Sequence, residues 1–216
     1  MLLKLSASSK SNQSYYENKL LGLSVGIQDS KNKVNKKLLG GCYQFITIIK
    51  GSVEIKNTLT NKIDKVDKGR SFVIPKEYDY QWQQNANLIA FNLIYQAPTE
   101  SSSSSEKDEH IVFIDEKNEV PWQNTSDGFK KKVVYQNSNK KFTTGIWQGE
   151  HFKTGVIDFP YNEFILVKSG TLICTDEQGN TQIMNTDEAL FVPQGTHCSW
   201  ESQGKISLYF VQIKKT

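Results

Sequence analysis

The residues of this chain that could do chemistry are few, and most lie within residues 161–200. Glu163 stands in a strand-like run with Ile165 and Val167. Because side chains two positions apart in a strand share a face, Glu163 is expected on an apolar face. Burying a bare carboxylate costs several kcal/mol, so this group must be paired, hydrogen-bonded, metal-bound or protonated. Glu163 is therefore the first candidate for acid–base chemistry or for ligand binding.

A second group of candidates follows near the end of the same stretch. Cys198 and Trp200 are two apart and share a face, which places His197 on the opposite face. A thiol nucleophile needs a base, and no histidine shares the face of Cys198. Cys198 is thus either a ligand-contacting thiol or a small buried apolar residue. His197 is expected at the barrel rim, and His151 is a candidate for covering the mouth of a pocket.

The elements that must position these side chains are predicted to be strands. Short apolar runs are cut by turn residues every eight to twelve positions, a pattern typical of an all-β sandwich or barrel. No run reaches the roughly 20 apolar residues of a membrane-spanning helix. The start, MLLKLSASSK, has too few apolar residues for a secretory signal. We expect a cytoplasmic protein with no membrane partner.

Composition sets the domain organisation and excludes several partners. The chain has 216 residues, and the serine-rich stretch 97–109 has the composition of a flexible linker, which predicts domains at 1–96 and 110–216. A formal charge of +3, with scattered lysines, argues against nucleic-acid binding. The lysines of FKKKVVY are expected on a solvated face. Three widely spaced cysteines suggest reduced thiols.

The two halves of the chain repeat one pattern. Gly26, Gln44 and Gly51 lie at an offset of 119 from equivalent residues Gly145, Glu163 and Gly170. After a one-residue gap the offset becomes 118 for a further set of matched pairs. These pairs are Pro75 and Pro193, Trp82 and Trp200, Phe91 and Tyr209, Leu93 and Val211, and Tyr95 and Ile213. The sequence therefore predicts a tandem duplication of one β unit.

The aromatic residues of each half are expected to line its barrel. The stripes Phe91, Leu93, Tyr95 and Tyr209, Val211, Ile213 are assigned to the two interiors. Trp200 and Tyr209, with Trp147, would then form the wall of a pocket in which Glu163 and Gln148 are the polar anchors. The same aromatic residues could instead fill the barrel as core, because small barrels are just wide enough for side chains.

The spacing of these residues resembles the two motifs of the cupin superfamily. The first is Glu163, six residues, then Gly170, and the second ends in Pro193-x-Gly195. The first half has Gln44, six residues, then Gly51, followed by Gly69, five residues and Pro75. More narrowly, residues 122–213 resemble the subgroup that includes ureidoglycine aminohydrolase-like and ethanolamine-utilisation-like cupins. The resemblance implies two tandem cupin jelly-roll barrels.

The resemblance also bears on metal binding. Metal-binding cupins carry two histidines and a glutamate in the first motif and a third histidine in the second. Here the glutamate is kept as Glu163, and Cys198 stands where the third histidine is expected. No metal or other cofactor is therefore expected. A bound metal would need an atypical set of Glu163, Asp158, His197 and Cys198.

These observations favour a metal-independent site for a small polar metabolite in the second barrel. The residues expected there are Glu163, Cys198, Trp200, Tyr209, Gln148 and Trp147. One alternative is a metal-dependent enzyme acting on a ureido or amine compound, with Glu163 as its catalytic residue. Another is a scaffold whose barrels are filled by side chains. The chain is expected to be a pseudo-dimeric monomer or a homodimer.

Overall fold

The computed structural model describes residues 2–8, 13–38, 40–97, 110–125 and 129–214. Every regular element in these ranges is a β-strand, which confirms the all-β prediction and leaves no helix there that could span a membrane. The strands of the first half are β1 (Leu3–Leu5), β2 (Gln13–Asn18), β3 (Leu23–Ser30), β4 (Val34–Leu38), β5 (Tyr43–Lys50), β6 (Ser52–Asn57), β7 (Ile63–Asp67), β8 (Ser71–Ile74), β9 (Tyr80–Gln84) and β10 (Leu88–Tyr95). The strands of the second half are β11 (Val112–Ile114), β12 (Gln123–Asn124), β13 (Lys130–Gln136), β14 (Phe142–Lys153), β15 (Ile157–Asp158), β16 (Asn162–Ser169), β17 (Leu172–Asp176), β18 (Thr181–Met184), β19 (Ala189–Val192) and β20 (His197–Ile213).

The chain divides into two compact units. The C-terminal barrel comprises Met1–Ser6 and Ile114–Thr216, and the N-terminal barrel comprises Ala7–Phe113. Two short strands pair with the barrel of the other predicted domain: β1, within 1–96, pairs with β19 in the C-terminal barrel, and β11, within 110–216, pairs with β8 in the N-terminal barrel. Each covers an edge whose N–H and C=O groups would otherwise be unpaired. Of the predicted linker 97–109, all but Ala97 lies outside the described residues.

The two barrels share one strand order. The larger N-terminal sheet runs β11-β8-β5-β10-β3-β2, and its C-terminal counterpart runs β1-β19-β16-β20-β14-β13-β12. The smaller N-terminal sheet runs β4-β9-β6-β7, and β15, β20, β17 and β18 are joined by the corresponding pairings. Register repeats as well, because Gln44 lies opposite Ile94 and Glu163 lies opposite Gln212. The internal repeat seen in the sequence is thus present in the strand order.

A tight turn between β16 and β17 depends on Gly170. Its φ of +83° is a backbone conformation that L side chains rarely adopt. A Cβ atom at this position would also lie 2.4 Å from the Lys205 carbonyl oxygen. The glycine of the first motif therefore lets β16 reverse directly into β17, while Glu163 lies near the other end of β16.

The interior of the C-terminal barrel is built from alternate residues of its strands. Ile165 and Val167 belong to it, so the face predicted for Glu163 is confirmed as apolar. Strand β20 contributes Cys198, Trp200, Ile206 and Leu208, all of even number.

The stripes assigned to the two barrel interiors were wrong. Because Ile206 and Leu208 face the C-terminal core, their odd-numbered neighbours lie on the other face of β20. Residues 206–211 are all buried, so apolar content could not identify the inner face. The same error affects β10, where Leu88 and Ala90 face the core. The misassigned residues are Phe91, Leu93, Tyr95, Tyr209, Val211 and Ile213.

Candidate functional site

The C-terminal barrel contains a cavity of about 390 Å³. Its walls are mostly apolar and aromatic, with a few polar groups among them. The aromatic residues that line it are Phe129, Trp147, Phe152, Phe159, Tyr161, Trp200 and Phe210. The polar residues are Thr125, Lys131, Thr154, Glu163 and Gln212. An apolar cavity with a few convergent polar groups is the usual form of a small-molecule site.

Three aromatic rings of the wall are in mutual contact. The ring centroids of Phe129 and Trp147 are 4.1 Å apart, and Phe152 packs edge-on against Phe129 at 4.8 Å and against Trp147 at 5.3 Å. Gly149 makes room for this cluster, because a Cβ atom there would lie 2.3 Å from the Phe129 ring. Trp147 was predicted from the sequence, whereas Phe129 and Phe152 were not. This cluster gives the cavity a rigid apolar wall.

The polar groups of the cavity form a short chain centred on Gln212. Its Nε2 donates to Glu163 Oε1 at 3.0 Å, and its Oε1 accepts from Lys131 Nζ at 3.5 Å. Strand register explains the first contact, because Glu163 and Gln212 are opposite each other on β16 and β20. Lys131 Nζ also lies 4.5 Å from the ring centroid of Phe210. The side-chain amide of Gln212 therefore hydrogen-bonds both the carboxyl group of Glu163 and the ammonium group of Lys131.

The electrostatics of this chain place Glu163 near its titration point at neutral pH. Burial raises the pKa of Glu163 to about 7, although the hydrogen bond from Gln212 and the charge of Lys131 act in the opposite direction. Burial also lowers the pKa of Lys131, which the carboxylate of Glu163 partly offsets. Near pH 7 the carboxyl group can therefore serve as a donor or as an acceptor.

Hydrogen-bonding capacity is left over at Glu163 and Lys131. Among the described residues, Glu163 receives its hydrogen bond only at Oε1, and Lys131 donates only the long contact to Gln212. A carboxyl group has about four acceptor positions and an ammonium group has three donors. Because buried polar groups are normally satisfied, the remaining positions are suited to a ligand in the cavity.

Gln212 is expected to set the pKa of Glu163. Replacing it with leucine removes the donor to Oε1, and the pKa of Glu163 should rise by on the order of one further unit. A ¹³C NMR titration of the glutamate carboxyl signals, with the Glu163→Gln spectrum identifying the relevant signal, measures this. Gln148→Leu is the matched control, because Gln148 lies outside the cavity wall. An unchanged titration midpoint of Glu163 in Gln212→Leu would contradict the hydrogen bond between Gln212 and Glu163.

Two of the predicted ligand contacts do not face the cavity. Gln148 follows the cavity-lining Trp147 in β14 and is not part of the lining, because successive strand residues point to opposite faces. Tyr209 lies between Leu208 and Phe210, which do line the cavity, and is therefore on the other side of β20. There the ammonium of Lys168 lies 5.4 Å from its ring centroid. The polar contact predicted for Gln148 is instead provided by Gln212, and the aromatic contact predicted for Tyr209 is provided by Phe210.

Cys198 belongs to the core and not to the cavity wall. It is fully buried, and a hydrogen bond links its thiol to that of Cys174 on the neighbouring strand. This contact, followed by burial, raises the pKa of Cys174. Trp200 does line the cavity. Of the pair predicted to share a face, Trp200 alone contacts the cavity.

The residues of the possible metal set are not brought together. Asp158 and His197 lie opposite each other on β15 and β20, with 3.7 Å between Oδ1 and Nε2, and His197 also contacts Glu177. This group is exposed, and none of its members lines the cavity that contains Glu163. In the described ranges, no three His, Cys, Asp or Glu side chains are grouped to hold a metal. His151 is also exposed and outside the cavity wall.

Of the three lysines predicted to be solvated, Lys132 is buried and Lys131 is half-buried. Lys131 lines the cavity, and Lys132 is only 3% exposed because its ammonium donates to the carbonyls of Glu116 and Asn118. Lys132 also lies 4.8 Å from the ring centroid of Trp122. Lys130 alone of the three is exposed. Strand alternation is the sequence signal that indicates a partly buried Lys131, because it places this lysine on the same face as the apolar residues Phe129 and Val133.

Solved structures of other proteins share this architecture. No protein-family model and no curated protein sequence matches the chain. A solved structure of a protein of unknown function in the DUF861 family, from Pseudomonas syringae pv. tomato str. DC3000, has a TM-score of 0.80 at 13% identity and covers 98% of both chains. A cupin 2 conserved barrel domain protein from Leptotrichia buccalis has a TM-score of 0.59 at 11% identity, covering 99% of this chain and 89% of that one. The chain has the cupin fold. Salicylate 1,2-dioxygenase from Pseudaminobacter salicylatoxidans is also similar, with a TM-score of 0.60 at 9% identity, over 89% of this chain and 71% of that one.

A cupin fold raises the question of a metal at the barrel centre. Within the described part of the chain, the cavity offers one carboxylate, Glu163, together with the amide of Gln212 and the ammonium of Lys131. Catalytic metal sites use about three donor side chains, and an adjacent ammonium repels a cation. The residues present therefore do not fit a divalent metal, and no step of chemistry is assigned to one.

Proposed function

We propose that the C-terminal cupin barrel is a metal-independent binding site for a small molecule with an apolar body and a polar end. The observation that carries this proposal is the hydrogen-bonded chain of Glu163, Gln212 and Lys131 within an aromatic-walled cavity. The aromatic wall takes the body of the ligand. The chain takes the polar end, which must accept from Lys131 and donate to Glu163.

The size of the cavity supports a binding role over a purely structural one. Small-molecule sites usually measure about 300–1,000 Å³, and a volume of about 390 Å³ lies in this range. A scaffold barrel filled by its own side chains would not require this space or the half-buried charged groups of Glu163 and Lys131. The donor set of the cavity likewise supports binding over metal-dependent chemistry.

The charge of the ligand follows from the charges of the site. An uncharged amide or ureido group satisfies both partners, because its carbonyl accepts from Lys131 and its N–H donates to Glu163. A carboxylate ligand is compatible with Lys131 but requires Glu163 to be protonated, which holds below the pKa of about 7. An amine ligand instead requires ionised Glu163 and is opposed by Lys131. Amides and ureides are therefore the preferred class.

A thermal-shift screen tests the proposal directly. Suitable probes share a phenyl body and differ in their polar end: benzamide, phenylurea, benzoate and benzylamine, with toluene as the apolar control. We expect benzamide or phenylurea to stabilise the protein at both pH 6 and pH 8, and benzoate to do so at pH 6 only. A ligand at 100 times its dissociation constant adds about 2.7 kcal/mol to the free energy of unfolding.

Variants separate cavity binding from other effects in the same screen. Glu163→Gln changes the polar chain, whereas Glu177→Gln removes an exposed carboxylate outside the cavity. Stabilisation should be reduced in the first variant and unchanged in the second. If toluene stabilises as strongly as the polar probes, or none of the probes stabilises the protein, the proposed role of the chain is contradicted.

A further inference from the structure

The N-terminal barrel has a cavity of its own, of about 250 Å³. It occupies the equivalent place in the repeat, because Gln44 lies opposite Ile94 in the same way that Glu163 lies opposite Gln212. Its lining differs in kind from that of the C-terminal cavity. Among the described residues, no carboxyl group lines it, and the one charged lining residue, Lys36, is exposed.

At three lining positions the two cavities differ in the same direction, whereas at a fourth Ile94 stands in the place of Gln212. At the offsets of the repeat, Gln44 replaces Glu163, Gln28 replaces Trp147, Asn92 replaces Phe210 and Tyr80 replaces Cys198. Trp82 and Trp200 are the aromatic residues that the two cavities have in common. Amides thus stand at the positions of Glu163, Trp147 and Phe210, and Tyr80 adds a hydroxyl where the C-terminal barrel has the core residue Cys198.

The neutral groups are held in place by a second hydrogen-bond network. Gln84 Oε1 accepts from Trp82 Nε1 at 2.7 Å and from Gln28 Nε2 at 3.1 Å, while its Nε2 donates to the Asn32 carbonyl at 3.3 Å. Gln84 itself is buried and does not line the cavity. It therefore fixes the indole of Trp82 and leaves the carbonyl oxygen of Gln28 for another partner.

Donors and acceptors in this cavity remain available for a ligand. Gln44 Nε2 donates to the Tyr80 hydroxyl at 3.0 Å, so the phenol proton can be donated onward. Burial raises the pKa of Tyr80 to about 12, which keeps the phenol protonated at neutral pH. The side-chain amide of Asn92 has no hydrogen-bond partner among the described residues. Buried polar groups in this state are suited to a ligand that both donates and accepts.

We infer that the N-terminal barrel is a second binding site, for an uncharged ring compound with several hydrogen-bond donors and acceptors. No carboxylate among the described lining residues attracts a cation, and the charged lining group that an anion would meet, Lys36, is exposed to solvent. A volume of about 250 Å³ accommodates one six-membered ring with its substituents. A face of Trp82 and the amides of Gln28, Gln44 and Asn92 suit a monosaccharide or a planar cyclic ureide, which present this same chemistry.

Ligand-observed NMR tests this site with defined probes. The neutral probes are glucose and xylose for the sugars and uracil and hydantoin for the planar compounds, with glucuronate and glucosamine as charged ring analogues. At least one neutral probe should bind, more tightly than the charged analogues. Asn92→Leu should weaken it at least ten-fold, while Glu163→Gln in the other barrel should leave its affinity within two-fold.

Each outcome decides for or against the second site. If Asn92→Leu lowers the melting temperature, Asn92→Ala replaces it, since alanine removes the same amide without added volume. Whether sugars or planar compounds bind distinguishes the two sources of the chemistry. Binding of none of the neutral probes, equal binding of the charged analogues, or unchanged affinity in both Asn92 variants would overturn the inference.

Discussion

Replacing Gly145 with alanine is expected to destabilise the C-terminal barrel by about 3 kcal/mol or more. A Cβ atom at Gly145 would lie 1.9 Å from the Lys132 carbonyl oxygen and 3.0 Å from the Val133 Cα atom. These contacts are with backbone, so no side-chain rotation can relieve them. Strands β13 and β14 would have to separate at the point where Val133 pairs with Gly145. Since interiors are close-packed, that movement would also displace Lys131 and Trp147, which line the cavity.

Urea unfolding followed by tryptophan fluorescence measures this loss. Gly204→Ala is the matched control, because no atom lies within 4 Å of a Cβ at that position and its φ is not in the positive range. The control should change the free energy of unfolding by no more than about 0.5 kcal/mol. If Gly145→Ala were as stable as Gly204→Ala, the close approach of β13 and β14 described here would be incorrect.

The stability of the protein is expected to depend on pH through Glu163. The pKa of this group rises from 4.5 to about 7 on folding, so the folded state binds its proton more tightly than the unfolded state. Its favourable contribution is therefore complete below about pH 4.5 and is lost as the pH rises to about 7. The difference in pKa corresponds to a loss of up to about 3 kcal/mol over this window.

Glu163→Gln should remove this loss, because the amide does not titrate and its oxygen can still accept from Gln212. The free energy of unfolding of the variant relative to wild type should therefore increase between pH 4.5 and pH 7 and stay level above. Chemical unfolding at half-unit pH steps measures the difference, in which the other titrating groups cancel. Glu177→Gln, which removes an exposed carboxylate, should follow the wild-type curve. Parallel curves for Glu163→Gln and wild type would contradict the burial of Glu163.

The turns and the strand register of the fold could be predicted from the sequence because backbone geometry requires particular residues there. Gly170 provides a turn at φ +83°, and the register of the repeat recurs at Gln44 and Glu163. The face of Glu163 in β16 could also be predicted, because residues two apart share a strand face and both Ile165 and Val167 are apolar. These features depend on local conformation and on a period of two, which a sequence displays directly.

The inner face of β20 and the residues of the site could not be predicted from the sequence in the same way. Residues 206–211 are buried on both faces, so alternation of apolar and polar residues, the usual signal, was absent. Lys131 was assigned to solvent by its type, yet its ammonium lies beside Phe210 and Gln212. Whether a lysine is buried depends on partners that are distant in sequence, here 81 positions away at Gln212.

The central claim, that the chain of Glu163, Gln212 and Lys131 binds a ligand, is tested most directly by one affinity measurement. The best amide or ureide probe from the screen is titrated calorimetrically at pH 8 into wild type, Glu163→Gln and Glu177→Gln. At this pH Glu163 is largely ionised, and loss of its charge should weaken binding about ten-fold or more, equivalent to about 1.4 kcal/mol. Glu177→Gln should bind as wild type does. Equal affinities for wild type and Glu163→Gln would contradict the claim.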